Sequence, residues 1–404
     1  SSPCFSSRQL LHRSVTKVFI DHNESYEQIR EAVKRLCADF PGEYWNRQDN
    51  DASYPAEFVQ ALMDTGYLSV LVPEKYGGSG LDLRAACIIL ETIHESGCNG
   101  AACHAQMYMM GTVLRHGSDE QKNEILPKIA AGEKRLQAFG VTEPTSGTDT
   151  SRIRTTAVRD GDDYIINGQK VWTSRAEHSD LMLVLARTQP RDAGEKPHDG
   201  MSVFIIDMRD AKDRGLTIKP LRAMINHATT EVFFDDLRVP QENLIGEEGQ
   251  GFRYIIDGMN AERILIASEC IGDSRWFIKK AVDYANERIV FERPIGKNQG
   301  IQFPIAQAFA ATEAAALMTE KATLLYESGK RPGAEANMAK LLASEASWKA
   351  AEACMQTHGG YGFAEEYDVE RKFRETRLYQ IAPISTNLIL SYIAEHVLGL
   401  PRSY

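Results

Sequence analysis

The sequence predicts an α+β protein of several domains: a helical N-terminal domain over residues 23–136, a central antiparallel β-sandwich or barrel over 137–247, and a C-terminal four-helix bundle over 248–404. A flexible or targeting segment, 1–22, precedes them. Three observations carry this prediction. Apolar residues recur at helical spacing from Asn23 to Lys134. Between about 137 and 247 the period falls to two, in short runs rich in β-branched and aromatic residues. From Gly251 long helical patterns return.

Within 1–19, Arg8, Arg13 and Lys17 stand among five serines with no acidic residue. This resembles the remnant of a mitochondrial transit peptide, so the expected location is the mitochondrial matrix, or the cytoplasm if the segment has another origin. Helices are then expected over 27–40, from Tyr54-Pro55 through Asp64, and over 83–95, 102–115 and 119–131, with a glycine-rich loop at 73–80. Six strands follow, over 155–158, 164–166, 170–173, 181–185, 202–206 and 230–234, with Asp160-Gly161 and Asn167-Gly168 as hairpin turns. The last helices fall at 252–289, 300–328, 332–358 and 385–398.

A net charge of -10 argues against nucleic acid or an anionic membrane as partner. No apolar run approaches the roughly 18 residues of a spanning helix, so no membrane insertion is expected. Seven cysteines without a CxxC motif read as reduced packing thiols, and the ten histidines show no metal spacing. Cys103 and His104 are neighbours, but adjacent helical positions do not face each other, which weakens a Cys–His nucleophile.

The segment 139–149 is organised differently. Pro144 and Gly147 end any helix, and Thr145, Ser146 and Thr148 crowd around a glycine free to take positive φ. Such a loop turns backbone N–H groups toward one point, which suits a phosphate or a flavin edge; the alternative is an ordinary turn. It is neither a Walker loop nor a GxGxxG fingerprint. Elsewhere, Glu262 interrupts an apolar helix over 259–267, where an unpaired charge is costly.

These residues resemble the acyl-CoA dehydrogenase family. Gly140 to Asp149 matches its first signature, and Gln356-Thr357-His358-Gly359-Gly360-Tyr361-Gly362-Phe363, with Glu366, Arg371 and Glu375 after it, matches its second. Val239-Pro240-Gln241-Glu242-Asn243 and Arg288, Phe291, Gln299, Ile301 and Phe303 also fit. The resemblance implies that family's fold, FAD, an acyl-CoA thioester substrate in fatty-acid β-oxidation, a homotetramer (a dimer staying open) and electron transfer to an electron-transfer flavoprotein. It assigns Phe139, Val141, Thr142, Trp172 and Ser174 to the flavin ring, and Gly147 and Thr148 to the pyrophosphate, with Thr148 also touching substrate. Arg288, Phe291, Gln299, Gln356 and Gly360 are assigned to the adenosine diphosphate half bound across a subunit boundary, and Ser385 and Asn387 to further cofactor contacts. Ala101, Ala102, Cys103 and His104 fall where the family lines the acyl-tail pocket. Glu292 replaces a usual glycine, which puts the local backbone in question.

Dehydrogenation removes an α proton, so a general base with a pKa near neutrality is required. Most of the family places a glutamate where this chain has Pro383 in Tyr379-Gln380-Ile381-Ala382-Pro383-Ile384-Ser385-Thr386-Asn387. The isovaleryl-CoA and long-chain branch carries it on a core helix before an arginine. That matches Glu262-Arg263, with Asn260 and Arg263 flanking the CoA arm and Glu269 as the rival base. Pro383 also lacks the N–H that helps polarise the thioester carbonyl in the family. A flavin oxidase or monooxygenase, or a non-catalytic FAD- and acyl-CoA-binding member, therefore stays open beside the dehydrogenase.

Overall fold

The computed structural model of the protein describes residues 24–403. The targeting segment lies outside these residues. The N-terminal part holds α1 (Glu24–Ala38), α2 (Gly42–Asn50), α3 (Ala56–Asp64), α4 (Leu83–Glu95), α5 (Ala101–His116) and α6 (Asp119–Ala130). Every residue of α4 from Leu83 to His94 is buried, because α1 covers one face and the long C-terminal helix the other. Charges inside this layer are paired: Arg30 donates to Glu91 at 3.0 Å. Helix α2, not expected from the sequence, starts after Pro41. Pro55 caps α3 from outside rather than entering its first turn.

The central part is one sheet of eight strands: β1 (Leu136–Gly140), β2 (Thr156–Asp160), β3 (Asp163–Ser174), β4 (Leu181–Arg187), β5 (Met201–Asp207), β6 (Leu216–Pro220), β7 (Thr229–Pro240) and β8 (Leu244–Ile245). Its order is β6-β7-β3-β2-β4-β5-β8, with β1 beside β4. The sheet folds around one core, in which Val232, Phe234 and Leu237 of β7 meet Met182 and Val184 of β4 and Phe204 of β5. It is mixed rather than purely antiparallel: β4 pairs in parallel with both β1 and β2. Phe139 and Gly140 belong to β1, not to the loop expected at 139–149.

The expected Asn167-Gly168 hairpin turn is also corrected. Both residues lie inside β3, which runs unbroken past β7 with a register shift between Ile166 and Gly168. Gly168 has φ of 146°, and a Cβ there would come within 2.5 Å of Thr155 Oγ1. Close approach of a neighbouring strand, not a turn, requires this glycine. The asparagine signal has another use, since its side chain bonds Asp236 on β7.

A short helix, α7 (Met208–Ala211), follows β5. The C-terminal part comprises α8 (Gly251–Glu287), a hairpin of β9 (Ile289–Val290) and β10 (Arg293–Pro294), α9 (Gln299–Glu327), α10 (Gly333–His358), α11 (Val369–Arg377) and α12 (Thr386–Tyr392). Buried Ala336, Ala339, Ala343, Ala346 and Ala350 form a smooth face on α10 that lets α8 approach closely. Gly272 does the same between α8 and α4, where a Cβ would sit 2.3 Å from the Glu91 carbonyl. Helix α11 escaped the sequence reading because charged residues dominate it. Two of them, Arg371 and Lys372, are buried and paired with Asp368 and Asp273.

Candidate active site

The loop after β1 is anchored by a buried ion pair. Lys170 on β3 lies 2.8 Å from Glu143 and also donates to the Val141 carbonyl at 3.1 Å. Glu143 accepts from the N–H groups of Arg154 at 2.6 Å and Thr155 at 2.9 Å. Burial pushes Lys170 down to about 8 against the pull of Glu143. Burial alone would raise Glu143, but Lys170 and the hydrogen bonds bring it below the usual carboxylate range. The Thr142 carbonyl accepts from Val171 N–H at 2.9 Å, which fixes Val141 and Thr142 beside Trp172. Phe139 packs edge-on to Tyr108, 5.9 Å between centroids. Gly147 and Thr148 are exposed at the tip.

Trp172 does not pack into the sheet core. Strand β3 shifts register between Lys170 and Thr173, and Trp172 there takes φ of 61° and remains 58% exposed, between buried Val171 and Thr173. The bulge turns the indole outward. Ser174 is partly buried two residues on. A second group gathers at one end of the helical bundle: Arg288, Phe291, Gln299, Gln356 and Gly360 are all exposed. Arg288 stands 5.8 Å from the Tyr361 ring. Phe291 and Glu292 form the two-residue turn between β9 and β10 with φ of 50° and 64°. Glu292 thus adopts the left-handed backbone without glycine, at a cost of roughly 1–2 kcal/mol. Phe291, 94% exposed, and Trp172 are among the uncovered aromatic faces, and a bound ring cofactor would use them, so the residues present fit FAD.

Of the buried carboxylates on helix α8, Glu262 and Glu269 stand seven residues apart, about 10 Å along its axis. Glu262 is 6% exposed, and burial pushes it up to about 7 although Arg263 and Lys340 oppose the shift. Arg263 donates to Asn260 at 3.2 Å, so these two act as one unit. Lys340, fully buried on α10, donates to the Ile384 carbonyl at 2.8 Å and so ties the 379–387 segment to the surroundings of Glu262. Burial pushes Lys340 down to about 8. Ser385 is partly buried, and its hydroxyl caps α12 by accepting from Leu388 N–H at 3.4 Å; Asn387 is exposed.

Glu269 is 1% exposed and is also pushed up to about 7 by burial, against His94 and a hydrogen bond with Tyr379. Its Oε1 lies 3.4 Å from His104 Nδ1 and 3.9 Å from His94 Nε2. His94 Nε2 accepts from Gly100 N–H at 3.0 Å, which leaves its proton on Nδ1, facing Asp273 at 2.9 Å. Burial pushes His104 down to about 3. The Cys103 thiol, raised well above its usual value by burial, donates to the Tyr67 carbonyl and is no nucleophile.

Because folding raises the Glu269 pKa, its contribution is fully present below about 4.5 and is lost as pH rises through about 7. Glu269→Gln should therefore gain on wild type by up to about 3 kcal/mol between pH 4.5 and 8 in denaturant titrations. An equal pH dependence in both proteins would contradict the burial argument.

The sequence reading did not single out Lys170, Glu143 or Lys340, whose signal is an ionisable side chain inside an apolar-periodic stretch. It also missed Arg175 and Tyr108 beside the carboxylates. Among the described residues, no group of three or more His, Cys, Asp or Glu side chains could hold a metal, and no helix is long and apolar enough to cross a membrane.

Helices, sheet and helices in that order, with uncovered aromatic faces and a buried carboxylate poised near neutrality, define an FAD-dependent oxidoreductase of the acyl-CoA dehydrogenase class. The chain belongs to the acyl-CoA dehydrogenase family: it matches that family's N-terminal domain over 23–133, its middle domain over 138–237 and its C-terminal domain over 249–398. It is 35% identical over 386 residues to the acyl-CoA dehydrogenase FadE12 of Mycobacterium tuberculosis, covering 95% of this chain and 98% of that protein. Among solved structures, a glutaryl-coenzyme A dehydrogenase in complex with glutaryl-CoA is 30% identical with a TM-score of 0.88, covering 95% of this chain and 98% of the other. The prolyl acyl carrier protein oxidase AnaB is 25% identical with a TM-score of 0.87, covering 94% of this chain and all 100% of that one.

Proposed function

We propose that the protein catalyses α,β-dehydrogenation of an acyl-CoA thioester to the 2-enoyl-CoA, with Glu262 as the general base and an electron-transfer flavoprotein as acceptor. The observation that carries this reading is Glu262 itself: a carboxylate buried beside Arg263 and Lys340 with its pKa near 7, poised to take a proton at physiological pH. FAD, when bound, supplies the acceptor for the hydride that leaves the β carbon. Glu262 takes the α proton, and the electron pair of that C–H bond becomes the new C=C bond. Asn260 and Arg263 hold the CoA arm. Pro383 offers no N–H to the thioester carbonyl, so carbonyl polarisation falls to neighbouring groups of the segment that Lys340 holds.

Exposed apolar side chains at Ile289, Phe291, Phe303, Tyr361 and Phe363 support a homo-oligomer, a tetramer, in which a second copy covers this end of the bundle beside Arg288 and Gln356. The basic, serine-rich 1–19 segment supports the mitochondrial matrix. A second reading is an oxidase; Pro383 in place of the usual base and the likeness to AnaB favour it.

The test is anaerobic mixing of the holoenzyme with short, branched, hydroxylated and long acyl-CoAs, reading loss of the oxidised flavin spectrum. Bleaching that needs an electron-transfer flavoprotein for turnover supports the dehydrogenase. Rapid turnover with O₂ alone supports the oxidase, and no bleaching with any thioester sinks both.

A further inference from the structure

A cleft open to solvent is bounded by Tyr54, Asn99, Ala101, Ala102, Arg175 and His227 among others. Ala101 and Ala102 are the positions that the family resemblance assigns to the acyl tail. The charged residues on its wall are mostly spoken for. Asp49 accepts from Arg374 at 2.6 Å, and Glu375 pairs with Arg371 at 2.8 Å. Arg175 is different: among the described residues it forms no ion pair. Its Nη1 lies 3.1 Å from His227 Nε2, and its Nε is shielded from solvent with no partner. Burial, and Arg175 itself, push His227 well below its ordinary value, so the ring is neutral and its Nε2 serves as acceptor.

The backbone commits Arg175 to this place. It sits just past β3 with φ of 60°, its N–H donating to the Ala228 carbonyl at 2.7 Å. A left-handed arginine carries a strain cost that glycine or asparagine would avoid. A partly buried guanidinium without an ion-pair partner is costly in addition. Glu269 attracts it, but burial pushes that carboxylate up to about 7, so it is only partly ionised at neutral pH, and its Oε1 has no hydrogen-bond partner. The cleft wall therefore presents a guanidinium that forms no ion pair among the described residues, and its fork geometry matches a carboxylate bidentately.

We propose that the acyl group of the substrate ends in a carboxylate, and that Arg175, braced by His227, binds it in this cleft. This rests on the reading of the protein as an acyl-CoA dehydrogenase and adds the substrate class: a CoA monothioester of a dicarboxylic acid.

The test separates binding from chemistry. ω-Carboxyalkyl-CoA thioethers, with arms of four to eight carbons, and their plain alkyl counterparts lack the thioester and bind without reacting. With FAD-loaded wild-type protein, calorimetry should show the best carboxylated analogue binding about 100-fold tighter than its alkyl match, a difference of about 2.8 kcal/mol. Arg175→Met should abolish that preference while alkyl affinity stays within about twofold. Arg175→Lys keeps the charge without the fork, so it should retain about a tenth of the affinity for the carboxylated analogue; it also decides the matter if the Met variant fails to hold FAD. Equal binding of both series at every length, or a preference that survives Arg175→Met, overturns the assignment. Preference without flavin bleaching by any carboxyacyl-CoA thioester sinks the dehydrogenase reading and leaves the tail assignment standing. Bleaching by alkyl thioesters without preference does the reverse.

Discussion

Glu262→Gln should slow reduction of the bound flavin by an acyl-CoA about 10³–10⁴-fold, while FAD content and acyl-CoA affinity stay within about twofold of wild type. The amide keeps the volume of the buried side chain on α8 but cannot accept the α proton. The loss therefore belongs to the chemical step and not to ground-state binding. Wild-type reduction should rise with pH through about 7, the range to which burial pushes Glu262, because the base works only when ionised. That rise should vanish in the variant. Glu269→Gln is the matched control, since it removes a carboxylate of the same burial and pKa from the same helix. It should cost less than about tenfold. Placing glutamate at Pro383 in the Glu262→Gln protein should restore only part of the rate, because Ile384 crowds that segment. Rapid reduction by Glu262→Gln together with a dead Glu269→Gln would move the base about 10 Å deeper along α8.

Much of this arrangement was legible in the sequence because it depends on periodicity. The expected helix over 83–95 coincides with α4, since an apolar helix between two layers leaves a strong pattern. The order of helices, sheet and helices was legible for the same reason. Pairing direction was not: β4 runs parallel to β1 and β2, and strand residues look the same whichever way the neighbour runs. Asn167-Gly168 misled because a glycine forced by close strand contact has the same signature as one forced by a turn. Helix α11 hid because its buried residues include Arg371 and Lys372, whose partners lie far off in sequence or in the preceding turn. At the site, Glu262 stood out as a charge in an apolar helix. Arg175 did not, because a lone arginine after a strand carries no pattern; only the unpaired guanidinium in the folded chain distinguishes it.

The Glu143–Lys170 pair should prove the most sensitive point of the flavin-side loop. Glu143→Ala leaves the Lys170 ammonium fully buried with only the Val141 carbonyl as partner, and it also strips acceptors from the N–H groups of Arg154 and Thr155. Removing one member of such a buried pair costs about 3–5 kcal/mol. Lys170→Met should cost less, because Glu143 keeps both backbone donors and the methionine refills the stem's volume. The double variant Glu143→Gln with Lys170→Met removes both charges and keeps an acceptor for one N–H. It should be more stable than Glu143→Ala alone, and the cycle with Glu143→Gln and Lys170→Met as its single variants should show a coupling of about 2 kcal/mol. The cofactor should report the same hierarchy, since Lys170 holds Val141, and Val171 holds Thr142, beside the exposed indole of Trp172. FAD affinity should fall most in Glu143→Ala, less in Lys170→Met and least in the double variant. Denaturant unfolding read together with FAD titration checks both rankings. Additive losses in the double variant would mean that the pair is not coupled and that the loop is held by its backbone bonds alone.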